Sequence, residues 1–100
     1  MGSYKLSNLA SDDLGRIYEY GISNFGLAPA QDYLLGLHER FQKLADNELP
    51  VRDASQFVAN LKRSQYQRDV IFYLPQGEES LIVRVLGENM DFIRHLDSDD

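Results

Sequence analysis

The residues best suited to chemistry lie in the second half of the chain, at short intervals along the sequence. They are Arg63, Arg68, Tyr73, Arg84 and His95. Cleavage of RNA through its own 2′-hydroxyl needs a base, an acid for the leaving oxygen and cations around the phosphate. Asp69, Glu88 and Asp91 lie among these residues, however, and would repel a phosphate. A simpler interpretation of Arg84 is a strand residue that faces solvent or pairs with Asp91 or Glu88.

Other catalytic or metal-binding arrangements are not recognisable in the sequence. The chain has no cysteine, and His38 and His95 are its two histidines, which argues against thiol chemistry and a cysteine–histidine metal site. No phosphate-binding glycine loop, nucleophile elbow or H-E-x-x-H motif occurs. His38 lies beside the apolar face of a predicted helix and is interpreted as an exposed surface residue. We therefore predict no catalytic residue, no metal and no cofactor.

The charge balance favours a protein partner over nucleic acid. Sixteen acidic residues outnumber ten basic ones, for a formal net charge of −6. A protein that binds nucleic acid unaided needs a positive surface, because counterion release supplies most of its affinity. Four basic residues do cluster in the sequence, namely Arg52, Lys62, Arg63 and Arg68. Residues 78–100, by contrast, hold seven acids and two arginines, so we expect no direct nucleic-acid binding by this chain alone.

Length and composition describe one domain. One hundred residues suffice for a single core, and the hydrophobic content of 43% is ordinary for a globular protein. No apolar run approaches the roughly 18 residues of a membrane span, and no signal peptide is visible. A cytoplasmic location is therefore expected. The domain is predicted to cover residues 4–96, followed by a flexible acidic tail at residues 97–100.

Residues 4–7 alternate and predict a short strand, after which a helix is expected to begin at Ser11. Ser11 is a suitable N-cap, and Asp12 and Asp13 would then lie in the first turn, where the helix dipole favours negative charge. The apolar face of this helix consists of Leu14, Ile17, Tyr18, Gly21, Ile22 and Phe25. Gly26 is suited to end the helix in a left-handed conformation.

A second helix is expected to begin at Pro29, because a missing N–H does no harm at the first helical position. Its apolar face consists of Ala30, Tyr33, Leu34, Leu37, Phe41 and Leu44. The helix is predicted to end near residues 46–47, before Pro50. Since only two residues separate Gly26 from Pro29, the two helices must form an antiparallel hairpin.

The second half of the chain predicts three strands, at residues 61–67, 69–74 and 81–86. The six residues from 75 to 80 form a short connection, so the last two strands must pair as an antiparallel hairpin. Their apolar runs are nearly continuous, which places this hairpin in the middle of a sheet.

Two segments around these strands carry weaker helical signals. Residues 55–58 predict a short helical turn. Residues 89–96 predict one or two turns, with an inward-facing set of Met90, Phe92 and Ile93. The element order is therefore β-α-α-β-β-β. Helices followed by strands imply an α+β fold, in which a two-helix antiparallel hairpin packs on one face of an antiparallel sheet.

The sequence resembles the ParE toxins of the ParE/RelE superfamily over residues 4–96. Each matching motif is short, but their order and spacing together are specific. The motifs are Leu6 with Ala10, Asp13-Leu14, Ile17 with Tyr20, Phe25-Gly26, Ala30 with Tyr33, Leu37, Phe41, Leu44-Ala45, Arg52, Val70-Ile71-Phe72-Tyr73, Ile82-Val83-Arg84-Val85-Leu86, Met90-Asp91 and Arg94-His95-Leu96.

The resemblance implies a RelE/ParE-like fold and a toxin of a type II toxin–antitoxin module, a class linked to plasmid stabilisation and stress responses. It implies a hetero-oligomer with a ParD-like antitoxin. It also implies inhibition of DNA gyrase by trapping the enzyme with cleaved DNA, which blocks replication. Preference for gyrase over its relative topoisomerase IV stays open.

Two alternatives to the gyrase interpretation remain. The RelE branch cleaves mRNA in the ribosome, but Asp69 and Asn89 occupy places where that branch has catalytic arginines. A diverged, inactive protein that still binds its antitoxin is the other alternative. It is suggested by departures from the ParE pattern at Glu48, Val51, Asp69 and Gly87.

The resemblance and the residue types together give two sets of expected contacts. The residues expected to bind the target are Arg84, Asn89, Met90, Asp91, Arg94 and His95. The residues expected to bind the antitoxin are Tyr18, Tyr33, Arg63 and Tyr73. Aromatic and arginine side chains anchor many interfaces, which motivates the second set. For Met90, a purely structural role at the end of the sheet is nearly as well supported.

Overall fold

The fold is described by a computed structural model of residues 2–96. The acidic tail expected at residues 97–100 lies outside the described residues. Two long helices pack on one face of the sheet, and the predicted α+β class and element order are confirmed. The elements are β1 Ser3–Leu6, α1 Asn8–Phe25, α2 Leu27–Ala45, β2 Arg52–Asp53, β3 Lys62–Tyr66, β4 Asp69–Gln76, β5 Glu79–Gly87 and α3 Phe92–Leu96. None of the helices among residues 2–96 has the length and hydrophobicity of a membrane-spanning segment.

The sheet has five strands in the order β1-β5-β4-β3-β2, so the β4–β5 hairpin lies inside it as expected. Two features go beyond the prediction. β1 pairs in parallel with β5, with Leu6 opposite Ile82, and the two-residue β2 extends the other edge. The sheet is therefore mixed rather than wholly antiparallel. A strand of four residues carries no sequence signal for its partner or direction, which explains this difference.

The turn between β4 and β5 is much tighter than the six-residue connection that was predicted. β4 continues to Gln76 and β5 begins at Glu79, which leaves two residues in the turn. Gly77 opens it with a φ of 66°, a conformation that glycine reaches without steric cost. Pro75 lies inside β4 beyond the last residue paired with β3, so its missing N–H costs no bond to that strand.

α1 begins at Asn8 with Ser7 as its N-cap, so the prediction of Ser11 as the cap is wrong. The Ser7 hydroxyl accepts from the backbone N–H of Ala10 at 2.9 Å and donates to the carbonyl of Val83 at 2.7 Å. This second bond ties the start of α1 to β5. Asp13 consequently lies beyond the first turn, and its side chain is buried.

We predict that Ser7→Ala lowers the free energy of unfolding by about 1–2 kcal/mol, since it removes the cap and its bond to β5. Chemical denaturation followed by circular dichroism measures this. Ser11→Ala is the matched control, because Ser11 is exposed, and its effect should stay within about 0.5 kcal/mol. Equal losses for the two variants would contradict the assignment of Ser7 as the cap.

The α1–α2 hairpin is confirmed, but α2 begins earlier than predicted. It starts at Leu27 directly after Gly26, whose φ is 95°. Pro29 is thus the third helical residue, where a backbone N–H still has no partner within the helix. The two helices approach closely where a Cβ on Gly21 would lie 3.0 Å from the Cβ of Ala30. Small residues at this crossing let the hairpin close.

Both faces of the central strands are buried. The helices cover one face, in a cluster that includes Leu37, Phe41, Ile71, Ile82 and Val85. The other face is covered by α3 and by the turns at residues 54–61, in a cluster that includes Ala54, Leu61, Val70, Phe72 and Leu96. Residues 55–58 form turns rather than the predicted helical turn. The least regular part of the sequence therefore supplies a second cover for the sheet.

Two burial predictions are corrected by this arrangement. Ile93 is 63% exposed, whereas Phe92 packs on the second cluster, with its ring centre 5.1 Å from that of Phe72. α3 spans only Phe92–Leu96, so the inward positions are its first and last residues, four apart on one face. His38 is half-buried rather than exposed, because Nδ1 bonds the hydroxyl of Tyr4 at 2.7 Å.

Candidate functional site

Arg84 and Asp13 form a buried ion pair. Nε and Nη2 of Arg84 donate to the carboxylate of Asp13 at 2.8 and 3.0 Å, and the two residues are 9% and 4% exposed. The hydrogen bonds that Arg84 donates to the Asp13 carboxylate raise the pKa of Arg84. Its Nη1 donates to the backbone carbonyl of His95 at 3.0 Å. The interpretation of Arg84 as a solvent-facing residue, or as a partner of Asp91 or Glu88, is therefore wrong.

The burial of Arg84 and Asp13 is explained by the way in which the edge of β5 is covered. β1 pairs only with the first part of β5, and side chains of α1 and of its N-cap take its place along the rest of this edge. Ser7 donates to the carbonyl of Val83 at 2.7 Å. Asp13 accepts from the N–H of Val85 at 2.9 Å, and Arg16 donates to the carbonyl of Val85 at 3.0 Å. Polar side chains thus pair backbone groups that a neighbouring strand would otherwise bond.

The ion pair also fixes residues 88–96, the segment after β5, because Arg84 is bonded both to Asp13 and to the backbone carbonyl of His95 in α3. Met90 is half-buried, with Sδ 3.1 Å from the N–H of Gly87, and it packs on the second core cluster. Of the other residues expected to bind the target, His95 is half-buried and three are exposed, namely Asn89, Asp91 and Arg94. Five of the six therefore reach the surface, and the buried one holds the segment in place.

A cavity of about 380 Å³ connects this segment with α1. Its walls are formed by Arg16, Ile17, Tyr20, Arg68, Asp69, Gly87, Glu88, Asn89 and Met90. The structure therefore brings Asn89 and Met90 together with residues that were not expected at the site. Two arginines and two carboxylates line this cavity beside apolar side chains, so neither sign of charge dominates it.

Arg68 is the most distinctive of these additional residues. Its guanidinium carbon lies 4.5 Å from the ring centre of Tyr33, 5.2 Å from Phe25 and 5.6 Å from Tyr20. Such cation–π contacts hold the arginine in one position. Tyr20 and Phe25 remain exposed. Tyr20 lies outside the apolar face predicted for α1, and an aromatic residue on a polar helix face was the signal that could have identified it.

Tyr33 is fixed by a second contact at the same place. Its hydroxyl donates to Oδ2 of Asp69 at 2.6 Å, and Asp69 is buried. Burial and this hydrogen bond to a carboxylate both raise the pKa of Tyr33. The sequence suggested that Asp69 repels phosphate at the surface. Its carboxylate is instead buried and accepts a hydrogen bond from Tyr33.

Replacing Tyr33 by phenylalanine should lower the free energy of unfolding by about 1–3 kcal/mol, because Asp69 loses a donor. The pKa of Tyr33 in the folded protein is raised above its usual 10.0, so above pH 10.0 the unfolded chain releases this proton more readily than the folded chain. Stability should therefore fall as the pH rises above 10.0. Burial also raises the pKa of Tyr4 and Tyr73, so Tyr33→Phe should reduce this alkaline loss without abolishing it. Denaturation series between about pH 8 and pH 11 test both effects.

Tyr18→Phe is the matched control for this prediction, because Tyr18 is also a half-buried tyrosine on a helix. Its substitution should change the free energy of unfolding by no more than about 0.5 kcal/mol. An unchanged alkaline loss in the Tyr33 variant would contradict the role given to its hydroxyl.

The other residues expected to bind the antitoxin are dispersed. Tyr73, which was expected to contact the antitoxin, is only 3% exposed and belongs to the core under the helices, so its side chain is not at the surface. The reason is that β4 lies in the interior of the sheet. Arg63 is half-buried and lines a different cavity from Tyr33. Among residues 2–96, no cluster of three histidine, aspartate or glutamate side chains is placed to hold a metal ion.

A helical hairpin on a mixed five-strand sheet, with a C-terminal segment held at the sheet edge, places the protein among small α+β proteins of the RelE/ParE type. The family model for the ParE toxin of the type II toxin–antitoxin system parDE matches residues 4–92, and the chain belongs to this family. The resemblance seen in the sequence is thereby confirmed.

Individual relatives agree with this assignment. The chain is 32% identical to Toxin ParE of Escherichia coli over 97 residues, which cover 96% of this chain and 94% of that protein. It is 29% identical to Toxin ParE1 of Caulobacter vibrioides over 96 residues, which cover 96% and 99% of the two chains. A solved structure of the chromosomal ParDE TA system from P. aeruginosa has the same fold. Its TM-score is 0.72 at 21% identity, and the match covers 87% of this chain and 96% of that one.

Proposed function

We propose that this ParE-type toxin inhibits DNA gyrase by binding it and trapping the complex with cleaved DNA, without catalysing a reaction itself. In the proposal a ParD-like antitoxin forms a hetero-oligomer with the toxin in the cytoplasm and keeps it silent. The single observation that carries this proposal is membership of the ParE family over residues 4–92. The solved relative from P. aeruginosa is described as a ParDE system, which supports an antitoxin as the partner.

The proposed target surface is the segment after β5 together with the neighbouring cavity. Asn89, Asp91 and Arg94 are exposed there, and Met90 and His95 are half-buried. Arg84 acts as a positioning residue, since its bond to the carbonyl of His95 holds the segment. The nearby stack of Arg68 on aromatic rings supports a protein partner, because aromatic and arginine side chains dominate binding energy at protein interfaces.

The proposed antitoxin surface contains Tyr18, Tyr33 and Arg63, which are all half-buried and therefore partly accessible. Tyr73 supports this surface from within, because it lies in the core cluster on which Tyr33 packs. The two surfaces meet at Arg68, which stacks on Tyr33 and lines the cavity beside Asn89.

The non-enzymatic proposal is also supported by the positions of the residues considered first for RNA cleavage. Arg84 and Tyr73 are buried, and the guanidinium of Arg68 stacks on three aromatic rings. Few of the groups that general acid–base cleavage would require are therefore free to approach a phosphate. Together with the net charge of −6, this argues against the ribonuclease alternative.

Expression in cells, with and without a ParD-like antitoxin, tests the proposal. The expected result without antitoxin is growth arrest with filamentation and DNA-damage signalling, and co-expression of the antitoxin should restore growth. Growth arrest with mRNA cut at codon positions on ribosomes would contradict the gyrase target. Harmless accumulation of folded protein would contradict toxicity and favour an inactive antitoxin-binding protein.

A further inference from the structure

A third cavity, of about 590 Å³, lies at the opposite edge of the sheet from β1 and contains an unusual concentration of positive charge. Arg40 of α2, Arg52 of β2 and Arg63 of β3 line it, and we refer to it as the arginine groove. These are three of only ten basic residues in a chain with sixteen acidic ones. The fold therefore gathers scarce cations from three elements around one cavity.

The positions of Arg52 and Arg63 are unfavourable for the isolated chain. The two residues are direct cross-strand partners, and like charges placed opposite one another destabilise a sheet. Among the described residues, neither guanidinium lies within 4.0 Å of a carboxylate. The neighbouring Asp53 instead lies 4.0 Å from the ammonium of Lys62. Among residues 2–96, Arg52 and Arg63 are thus not neutralised by direct ion pairs.

The rest of the groove combines a fixed cation with apolar walls. Nη1 of Arg40 donates to the carbonyl of Gln65 at 3.2 Å, and its guanidinium carbon lies 5.2 Å from the ring centre of Tyr66. Val51 and Phe92 contribute apolar surface. One carboxylate, that of Glu88, also lines the groove, and it accepts from Nε2 of Gln65 at 3.3 Å.

We propose that the arginine groove binds an acidic peptide segment of a protein partner, with carboxylates at the guanidinium groups and apolar side chains against the walls. Guanidinium groups bind carboxylates in bidentate geometry, and such charge-assisted bonds are stronger than neutral ones. A peptide is favoured over nucleic acid because the chain as a whole is acidic and would repel a long phosphate backbone. The inference gives the chemistry of the contact proposed for Arg63, and in that respect it rests on the proposed function.

Fluorescence anisotropy with the purified chain tests the inference, using two labelled peptides of equal length. One alternates glutamate with leucine, and the other has lysine in place of glutamate. We expect only the acidic peptide to bind, with an affinity that falls as salt is added. Arg52→Gln and Arg63→Gln should each weaken binding about tenfold. Glu88→Gln should strengthen it, because a repelling carboxylate is removed from the groove.

Lys5→Gln is the matched control, since it removes one positive charge from the opposite edge of the sheet, and its affinity should equal that of the unchanged chain. No binding of the acidic peptide, or equal binding by all variants, would overturn the inference. Tighter binding of a single-stranded oligonucleotide that is lost in the same arginine variants would overturn it in favour of nucleic acid. The assay contains neither gyrase nor antitoxin, so a negative binding result would not contradict the proposed function. Conversely, an absence of toxicity in cells would not contradict peptide binding by the arginine groove.

Discussion

Replacement of Asp13 by alanine is expected to lower the free energy of unfolding by about 3–5 kcal/mol, the largest single effect on stability that we predict. The substitution leaves the guanidinium of Arg84 buried without its carboxylate and leaves the N–H of Val85 without its acceptor. Breaking a buried ion pair from one side costs more than the pair contributes, because the remaining charge has no compensation. Urea denaturation followed by circular dichroism gives the value.

Asp12→Ala is the matched control, because it removes the adjacent but exposed carboxylate, and its change should stay within about 0.5 kcal/mol. The double variant Asp13→Leu with Arg84→Met should be more stable than either single variant, since it removes both buried charges. If Asp13→Ala cost no more than Asp12→Ala, the buried pair would not be the element that holds α1, β5 and α3 together.

Charge reversal at Arg94 is expected to have the largest effect on function, weakening inhibition of gyrase about tenfold or more. Arg94 is exposed on α3, so Arg94→Glu should alter stability by no more than about 0.5 kcal/mol. Affinity for the ParD-like antitoxin should be unchanged, because the residues proposed for that contact lie on α1, α2 and β3. Supercoiling titrations and antitoxin binding measurements give the two quantities.

Lys43→Glu supplies the control for Arg94→Glu, since it makes the same charge change at an exposed position in the last turn of α2. Inhibition by this variant should match that of the unchanged chain. Undiminished inhibition by Arg94→Glu would contradict the assignment of the segment after β5 as the target surface. Equally weakened inhibition by the Arg94 and Lys43 variants would indicate a general effect of net charge.

The sequence predicted the fold class because apolar periodicity reports directly which face of each element is buried. It failed where a choice depended on a distant residue. Ser7 and Ser11 are equally good N-caps by residue type, and the carbonyl of Val83, which is 76 positions from Ser7, makes the difference. In the same way, nothing near residues 3–6 in the sequence indicates that β1 lies parallel to β5.

The site was less predictable than the fold for the same physical reason. Arg84 and Asp13 are 71 positions apart, so no local pattern could show that the arginine is buried in an ion pair rather than exposed. Tyr33 and Tyr73 were both expected to contact the antitoxin, yet Tyr33 is half-buried and Tyr73 lies in the core under the helices. The stack of Arg68 on rings from both helices depends on the packing of the hairpin against the sheet.

Purified gyrase with relaxed plasmid tests most directly the proposal that this toxin acts by binding a topoisomerase. Adding the chain should abolish supercoiling and cause cleaved plasmid to accumulate, and adding a ParD-like antitoxin should reverse both effects. Unimpaired supercoiling, together with cuts at codon positions in ribosome-bound mRNA, would contradict the claim.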